Sequence, residues 1–505
     1  MTVYNFNLGI GWASSGVEYA QAYRAKIFRE NNIPAKFIFT DLIRHENIAH
    51  FTQNIGIKND EVLWLYSFFT DIETSESTYT LEALLSSIAL EVESIEHGSN
   101  LLRYHFKHSP VTMVVATVKD SPQLVQRVEF LVNQVLIRKD YYTSKRLFSE
   151  YYYQQENLSV LHKRVFFNQD DSIAYEEIND NGVSTYRFPD RILYSKEELI
   201  KYMLEQLELS SDDLLILDRS TGIGQSIFQN KGDAKLAVVI HAEHFSPNSE
   251  TEQTILWNNY YDYQFTNANL VDCFIASTQA QADLLTQQFS KYTKHQPKIV
   301  AIPVGSLERL RQPDDAIGRK PFSLITASRL AAEKHIDWLV SAVILVKEEV
   351  PELTFDIYGS GSQQAKLQAM IEEAQAQDYI RLMGHCDLTD IYQKYSAYLT
   401  ASTSEGFGLT LMEAVGSGLP LIGFDVRYGN QTFIEHTKNG YLMERQIPDD
   451  EQKIARTFAK YIVNLFKKNS LDKYHRRSYQ IASEFLTERI EDKWKKLVKE
   501  VLSND

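Results

Sequence analysis

The chain has 505 residues, 44% of them hydrophobic and 24% charged, which is enough to bury more than one core and excludes a disordered or fibrous chain. Its 67 acidic residues against 52 basic ones give a formal net charge of -15, which repels a polyphosphate backbone and argues against nucleic acid as a partner. Two cysteines, Cys273 and Cys386, make neither a disulfide framework nor a CxxC pair, and no apolar run approaches ~18 residues, so a soluble cytoplasmic chain without a leader is expected.

In chain order, Val3 to Leu8 reads as a strand. A Gly/Ser loop follows (Gly9, Gly11, Ser14, Ser15, Gly16), then a helix from about Val17 to Asn31 and a strand over Lys36 to Phe39, which together open a βαβ unit. From Leu101 to Phe188 the texture changes to closely spaced β-like runs: VTMVVATV, VQRVEFLV, VLIRKDYYT, VLHKRVFF, SIAYEEI and VSTYRF. Polar turns separate them, and Asn181-Gly182 is a strong hairpin signal, so an antiparallel meander is expected. The chain has 29 tyrosines, and they are dense from Tyr141 to Tyr153, where a β-rich segment accommodates them. From about Ser195 helices alternate with solid apolar strands (DLLILDR, LAVVIHAEH, DCFIAST, KIVAIPVG), as in a parallel sheet covered on both faces.

A second βα series runs through FSLITAS, LTFDIYG, YIRLMG, AYLTAS and LPLIGF, with Pro313, Asp314 and Asp315 marking a linker before it. The expected organisation is two doubly wound α/β domains with an antiparallel meander inserted in the first. The segments are 1–60, an insertion over 61–190, 191–310, a second domain over 311–485, and a C-terminal helix over 486–505. That helix is either a surface helix of the second domain or a brace between the two domains.

The chemistry concentrates in ASTSEGFGLTLMEAVGSGLPLIGF, Ala401 to Phe424. A strand leads to Glu405, the Gly406-Phe407-Gly408 turn and a short helix carrying Glu413, stopped by Gly416 and Gly418. Glycines at 406 and 408 let the backbone pass close to a ligand, and the N–H groups near Leu409 and Thr410 present the positive helix end to phosphate. A carboxylate at 413, one turn into that helix, reaches ribose hydroxyls. His241 and His244 stand at H-x-x-H spacing, which fits a satisfied pair at a strand end or metal ligands. The loop from Gly9 to Gly16 fails G-x-G-x-x-G because its third glycine comes too late. No D-x-D occurs, so an enzyme that had to neutralise a departing diphosphate would here do it with fixed positive charge and a helix N-terminus, without a metal held by clustered carboxylates.

Ala401 to Phe424 resembles the E-x7-E signature of retaining GT-B glycosyltransferases, especially the large family 4. SRLAAEKHIDWLVSA is similar to that family's segment after the first strand of the second domain, which places Arg329 and Lys334 on the diphosphate. DIYGSGSQQAKLQ resembles its next strand and Gly-rich turn, with Gly359, and IRLMGHCDLTDIYQKYSAYLTAS its nucleobase-side strand, with His385. The resemblance further implies a first-domain glycine loop at Gly16, near phosphates and acceptor, and His241 beside the reacting sugar. It gives catalytic roles to Glu405, His241, Arg329 and Lys334. Donor contacts fall to Gly359, His385, Gly406, Phe407, Gly408, Leu409, Thr410 and Glu413, with no metal or other cofactor.

The insertion, with KRVFFNQDDSIAYEEINDNGVSTYRF, resembles the added sheet of glycosyltransferases from Gram-positive accessory secretion systems. There a catalytic subunit and a related non-catalytic partner put N-acetylglucosamine from UDP-GlcNAc on Ser and Thr of serine-rich-repeat adhesins, and the layout of the chain is similar to the catalytic subunit. The implied partners are a UDP-sugar, a Ser/Thr-rich polypeptide and the related subunit, with peripheral contact at the inner face of the membrane. Three rivals are weighed: a nucleotide-sugar epimerase, a non-catalytic glycopeptide-binding paralogue, and a transferase acting on a cell-wall polymer.

Overall fold

The computed structural model describes residues 1–12, 16–314, 316, 318–468 and 471–503. The loop residues Ser14 and Ser15 and the linker residue Asp315 lie outside them. The chain divides into two compact units, Met1–Ala237 and Val238–Asp505, the division falling inside the strand Lys235–Ile240.

In the first unit, Val3–Asn7 lies between two parallel neighbours, Ala35–Phe39 and Leu214–Leu217, and Val62–Trp64 pairs with the far side of Ala35–Phe39. All four residues of Leu214–Leu217 are buried, which is why that strand is an unbroken apolar run. The helix between the first two strands begins at Gly16 and ends at Glu30. The helix Lys196–Gln206 starts where the Ser195 hydroxyl accepts the amide of Glu198 at 3.2 Å, a side-chain N-cap.

The meander is a ten-stranded antiparallel sheet running from Val92–His97 to Ile192–Leu193, its spatial order the order of the sequence. Asn181 and Gly182 both adopt positive φ, 50° and 85°, and join Ile173–Asp180 to Val183–Arg187 as a two-residue hairpin turn. Four strands escaped the reading of the sequence: Val92–His97, Leu101–Phe106, Arg146–Gln155 and Ile192–Leu193. Val92–His97 is an edge strand exposed at every residue, so it carries no alternating apolar face.

The aromatic richness of the insertion has a packing cause. Phe148, Phe166, Tyr175 and Phe188 stack in series at centroid separations of 5.2, 4.4 and 4.7 Å. Tyr66 stacks over Phe166, and Phe69 over Tyr202, so the series is sealed by chain that precedes and follows the ten-stranded sheet. The Tyr175 hydroxyl donates to the Tyr66 carbonyl at 2.7 Å, which satisfies the polar atom that this buried ring brings in. Beside the stack, buried Arg164 donates to Glu150 and Glu177 at 2.9 and 2.8 Å. Tyr141 and Tyr152 donate to the same Glu150, so the buried charges are all partnered.

The second unit holds a six-stranded parallel sheet ordered Ile380–Gly384, Thr354–Tyr358, Ser323–Ala327, Ala397–Leu399, Leu421–Phe424, Gly440–Met443. Numbered along the chain this is 3-2-1-4-5-6, so the strand order reverses between Ser323–Ala327 and Ala397–Leu399. In a doubly wound sheet that reversal opens a crevice at the carboxyl ends of the two strands. The C-terminal helix Thr487–Leu502 is tied to the chain before the linker. The Leu307 amide donates to Phe485, the Thr487 amide to Leu307, and Lys298 pairs with Glu500 at 2.7 Å.

Candidate active site

Two segments leave the sheet at the reversal. Ser323–Ala327 runs into Ser328–Lys334, and Ala397–Leu399 into Ala401–Gly408, so residues 71 apart in sequence meet. Lys334 closes a short 3-10 turn, Ala332–Lys334, and is followed by His335, whose φ of 45° reverses the chain and whose ring stacks on Trp338 at 3.7 Å. That geometry carries the Lys334 ammonium to 2.8 Å from Glu405 Oε2, with 18% and 21% of the two side chains exposed. Arg329 is 76% exposed and reaches Glu333 at 3.2 Å.

Glycine supplies close backbone approach at two places. At Gly359, φ is 126° and a Cβ would lie 1.9 Å from the Ser328 carbonyl oxygen, so the Gly-rich turn presses on the segment that carries Arg329. At Gly406 a Cβ would lie 2.6 Å from the carbonyl oxygen of His241, so the Glu405 turn abuts the residue that follows the strand Lys235–Ile240. The reading from sequence gave the glycines of this turn to a ligand. The structure supplies an internal reason at Gly406 and likewise at Gly408, where a Cβ would meet the Leu411 side chain at 2.7 Å.

Gly408, at φ 87°, turns the chain into the helix Leu409–Gly416. The amides of Leu409 and Thr410 donate to no group among the described residues, which leaves two N–H groups at the positive end of the helix. The Thr410 hydroxyl accepts from Tyr398 at 3.0 Å. Phe407 points the other way, buried against Phe433 and Phe485, so only its backbone faces the crevice. One turn along, Glu413 receives the Tyr392 hydroxyl at 3.1 Å. Burial pushes its carboxyl from the ordinary 4.5 up to about 7, against the lowering effect of that hydrogen bond.

His385 is exposed just beyond Gly384, whose carbonyl accepts the Gly359 amide at 2.8 Å. Gly16 opens its helix in the first unit, exposed, with open space where a Cβ would stand. His241 is half-buried, and its amide and that of Ala242 both donate to the Tyr261 hydroxyl at 3.0 Å. His244 is a satisfied core histidine. Its Nε2 lies 2.7 Å from Gln288 Oε1 and its Nδ1 3.1 Å from the Tyr428 hydroxyl, leaving neither nitrogen for a metal. Among the described residues no group of three or more His, Cys, Asp or Glu is placed to hold one.

Several residues close to these were not anticipated. Tyr392 carries the partner of Glu413, and the loop Arg427–Gly429 holds the Glu405 backbone. The Glu405 carbonyl accepts the amides of Tyr428 and Gly429 at 2.7 and 2.8 Å. A lone tyrosine and a VRYG run carry no local signal of such a role.

Comparison with known proteins adds to this geometry. Residues 94–190 match the family described as GtfA extended beta-sheet domain, and residues 308–478 that described as glycosyl transferases group 1. The chain is 52% identical over 504 residues to the UDP-N-acetylglucosamine–peptide N-acetylglucosaminyltransferase GtfA subunit of Streptococcus agalactiae, covering 100% of this chain and 99% of that one. The crystal structure of the pneumococcal O-GlcNAc transferase GtfA in complex with UDP and GlcNAc is 52% identical, with a TM-score of 0.94 over 100% of this chain and 99% of that one. That of a GtfA/B complex is also 52% identical, with a TM-score of 0.96 over 100% of both chains. The fold is accordingly GT-B, two Rossmann-like domains with an antiparallel sheet inserted in the first. With more than half of its residues shared over its full length, the chain belongs to the family of GtfA subunits of UDP-N-acetylglucosamine–peptide N-acetylglucosaminyltransferases.

Proposed function

We propose that the chain is a retaining glycosyltransferase of family 4 that moves N-acetylglucosamine from UDP-GlcNAc onto Ser and Thr hydroxyls of a serine-rich-repeat polypeptide. The observation that carries this reading is the Lys334–Glu405 pair at the strand-order reversal, beside the unpartnered amides of Leu409 and Thr410. A nucleoside diphosphate needs fixed positive charge and N–H donors at one place, and this crevice offers both. Arg329 and Lys334 stabilise the diphosphate leaving group, and Gly408 to Thr410 lend backbone donors. Glu413 holds the ribose, with Gly359 and His385 on the nucleotide side. Glu405 contacts hydroxyls of the transferred sugar and His241 stands near it. Gly16 lets the first-domain loop approach phosphates and acceptor.

The reaction on this reading needs no metal. The protein works with a related subunit, as the solved GtfA/B complex suggests by its name, and the inserted sheet serves partner and acceptor. No helix among the described residues is long and apolar enough to cross a membrane, and any membrane contact is peripheral on this reading. The test is UDP release from a panel of UDP-sugars, with and without the partner subunit and a Ser/Thr-rich peptide. UDP-GlcNAc turned over alone, with the label appearing on the peptide, is the expected result. A preference for another sugar, or binding of glycopeptide without turnover, overturns it.

A further inference from the structure

The loop that pins the Glu405 backbone also reaches His244. Tyr428 is 1% exposed, its amide donates to the Glu405 carbonyl, and its ring stacks on that of His244 with planes 16° apart. The phenol oxygen lies 2.5 Å from Glu243 Oε1 and 3.1 Å from His244 Nδ1. A phenol has one hydrogen and cannot donate to both.

The phenol donates to Glu243 Oε1, the shorter of the two contacts, and the same oxygen stands against His244 Nδ1. Burial raises the Glu243 carboxyl above its ordinary value, while the Tyr428 hydrogen bond and Arg427 oppose it. Burial lowers His244 to about 4, so the imidazole is neutral, and its Nε2 lies 2.7 Å from Gln288 Oε1. One buried hydroxyl therefore bridges Glu243 and His244.

We infer that Tyr428 is a positioning residue that holds the Glu405 turn and the segment from His241 to His244 in one fixed relation. Its amide fixes one side and its hydroxyl the other, while the His241 carbonyl sits against Gly406 between them. The segment is also held through its backbone, by Tyr261, by Gln281 on the Ala242 carbonyl and by Asn258 on the Glu243 carbonyl, and through side chains by Gln288 on His244 and by Arg427, 4.0 Å from Glu243. Among these the Tyr428 hydroxyl is a buried side-chain link from the loop that holds the Glu405 turn to both Glu243 and His244. The inference rests on the proposed function, since it assigns His241 and Glu405 to the sugar side of the reaction. Displacement of such groups by about 1 Å is enough to slow a transfer by an order of magnitude or more without weakening nucleotide binding.

The test compares Tyr428→Phe, Glu243→Ala and Glu243→Gln in the full chain with its partner subunit. Rates of UDP release, KM for UDP-GlcNAc, calorimetric affinity for UDP and melting temperature are measured for each. Tyr428→Phe keeps the stacked ring and is expected to lower kcat about tenfold, with UDP affinity within about twofold of wild type. Glu243→Ala should lose as much, and Glu243→Gln, whose amide oxygen still accepts from the phenol, should recover it. The double variant Tyr428→Phe with Glu243→Ala should be no worse than either single one. If Tyr428→Phe folds poorly, the Glu243→Ala and Glu243→Gln contrast decides alone. Unchanged kcat in folded Tyr428→Phe, or equal loss in Glu243→Ala and Glu243→Gln, overturns the inference while wild-type turnover stands. A wild type that binds UDP yet releases none from any UDP-sugar overturns the function reading and this inference with it.

Discussion

Replacing Lys334 by alanine separates a role in chemistry from one in holding the fold. At 2.8 Å two unit charges attract by about 6 kcal/mol at an effective dielectric of about 20. Desolvation and side-chain ordering take back most of it, and each partner is about a fifth exposed, so the pair contributes about 1 kcal/mol to stability. A cation on a departing diphosphate contributes far more, because its stabilisation grows as charge develops in the transition state. Loss of one such donor costs ~10²-fold or more in rate. Lys334→Ala should therefore lose ~10²-fold or more in UDP release at saturating donor, while its melting temperature drops by only a few degrees. Glu405→Gln should also impair transfer with little change in melting, because the backbone contacts that hold the turn go to its carbonyl and the carboxylate's pair with Lys334 contributes only about 1 kcal/mol. The assay is UDP release from UDP-GlcNAc beside a thermal melt of each variant. Lys334→Ala activity within threefold of wild type would refute the reasoning, as would a loss that follows unfolding.

Four further outcomes are expected. Because Glu413 is held neutral up to about 7, it stabilises the fold below its ordinary 4.5, and that stability is lost as pH rises to about 7; Glu413→Gln should flatten this part of the melting profile and also the fall in KM for UDP-GlcNAc as the carboxylate forms. Turnover should be unchanged in excess EDTA, and dependence on a divalent ion would displace Arg329 and Lys334 from the diphosphate. Tyr175→Ala should cost about 3–5 kcal/mol in denaturant unfolding, since it empties the middle of the aromatic stack, whereas Tyr175→Phe should cost only about 1 kcal/mol for the lost bond to Tyr66. Ser94→Pro in the exposed edge strand Val92–His97 should leave donor hydrolysis intact and weaken the complex with the partner subunit on size exclusion, and unchanged complex formation would move the contact elsewhere.

The elements legible in the sequence are those whose signal is local. Leu214–Leu217 and Cys273–Ala276 are buried at every residue, so burial wrote itself as apolar runs. Asn181-Gly182 announced its hairpin because left-handed backbone favours that pair, yet Asn133-Gln134 and Glu156-Asn157 make the same kind of turn without glycine and gave no sign. Arg146–Gln155 hid for a different reason. It buries Ser149 and Glu150, polar residues that read as surface until Asp140 and Arg164 are seen opposite them.

The same division runs through the site. Glu405, the glycine turn and Glu413 lie within nine residues and state their geometry along one strand–turn–helix, whereas Lys334 reaches Glu405 only through the 3-2-1-4-5-6 strand order. Tyr428 meets His244 across 184 residues, and nothing near either residue marks the other. The glycines show that positions expected to make room for a ligand have a second cause in packing. Gly406 and Gly408 stand where a ligand would need room, but a Cβ at either would first strike the His241 carbonyl or Leu411. A larger residue there would therefore disturb the alignment of the turn before any donor arrived. The physical demand comes from the His241 backbone at Gly406 and from the Leu411 side chain at Gly408, and it acts within the protein itself, with no ligand needed.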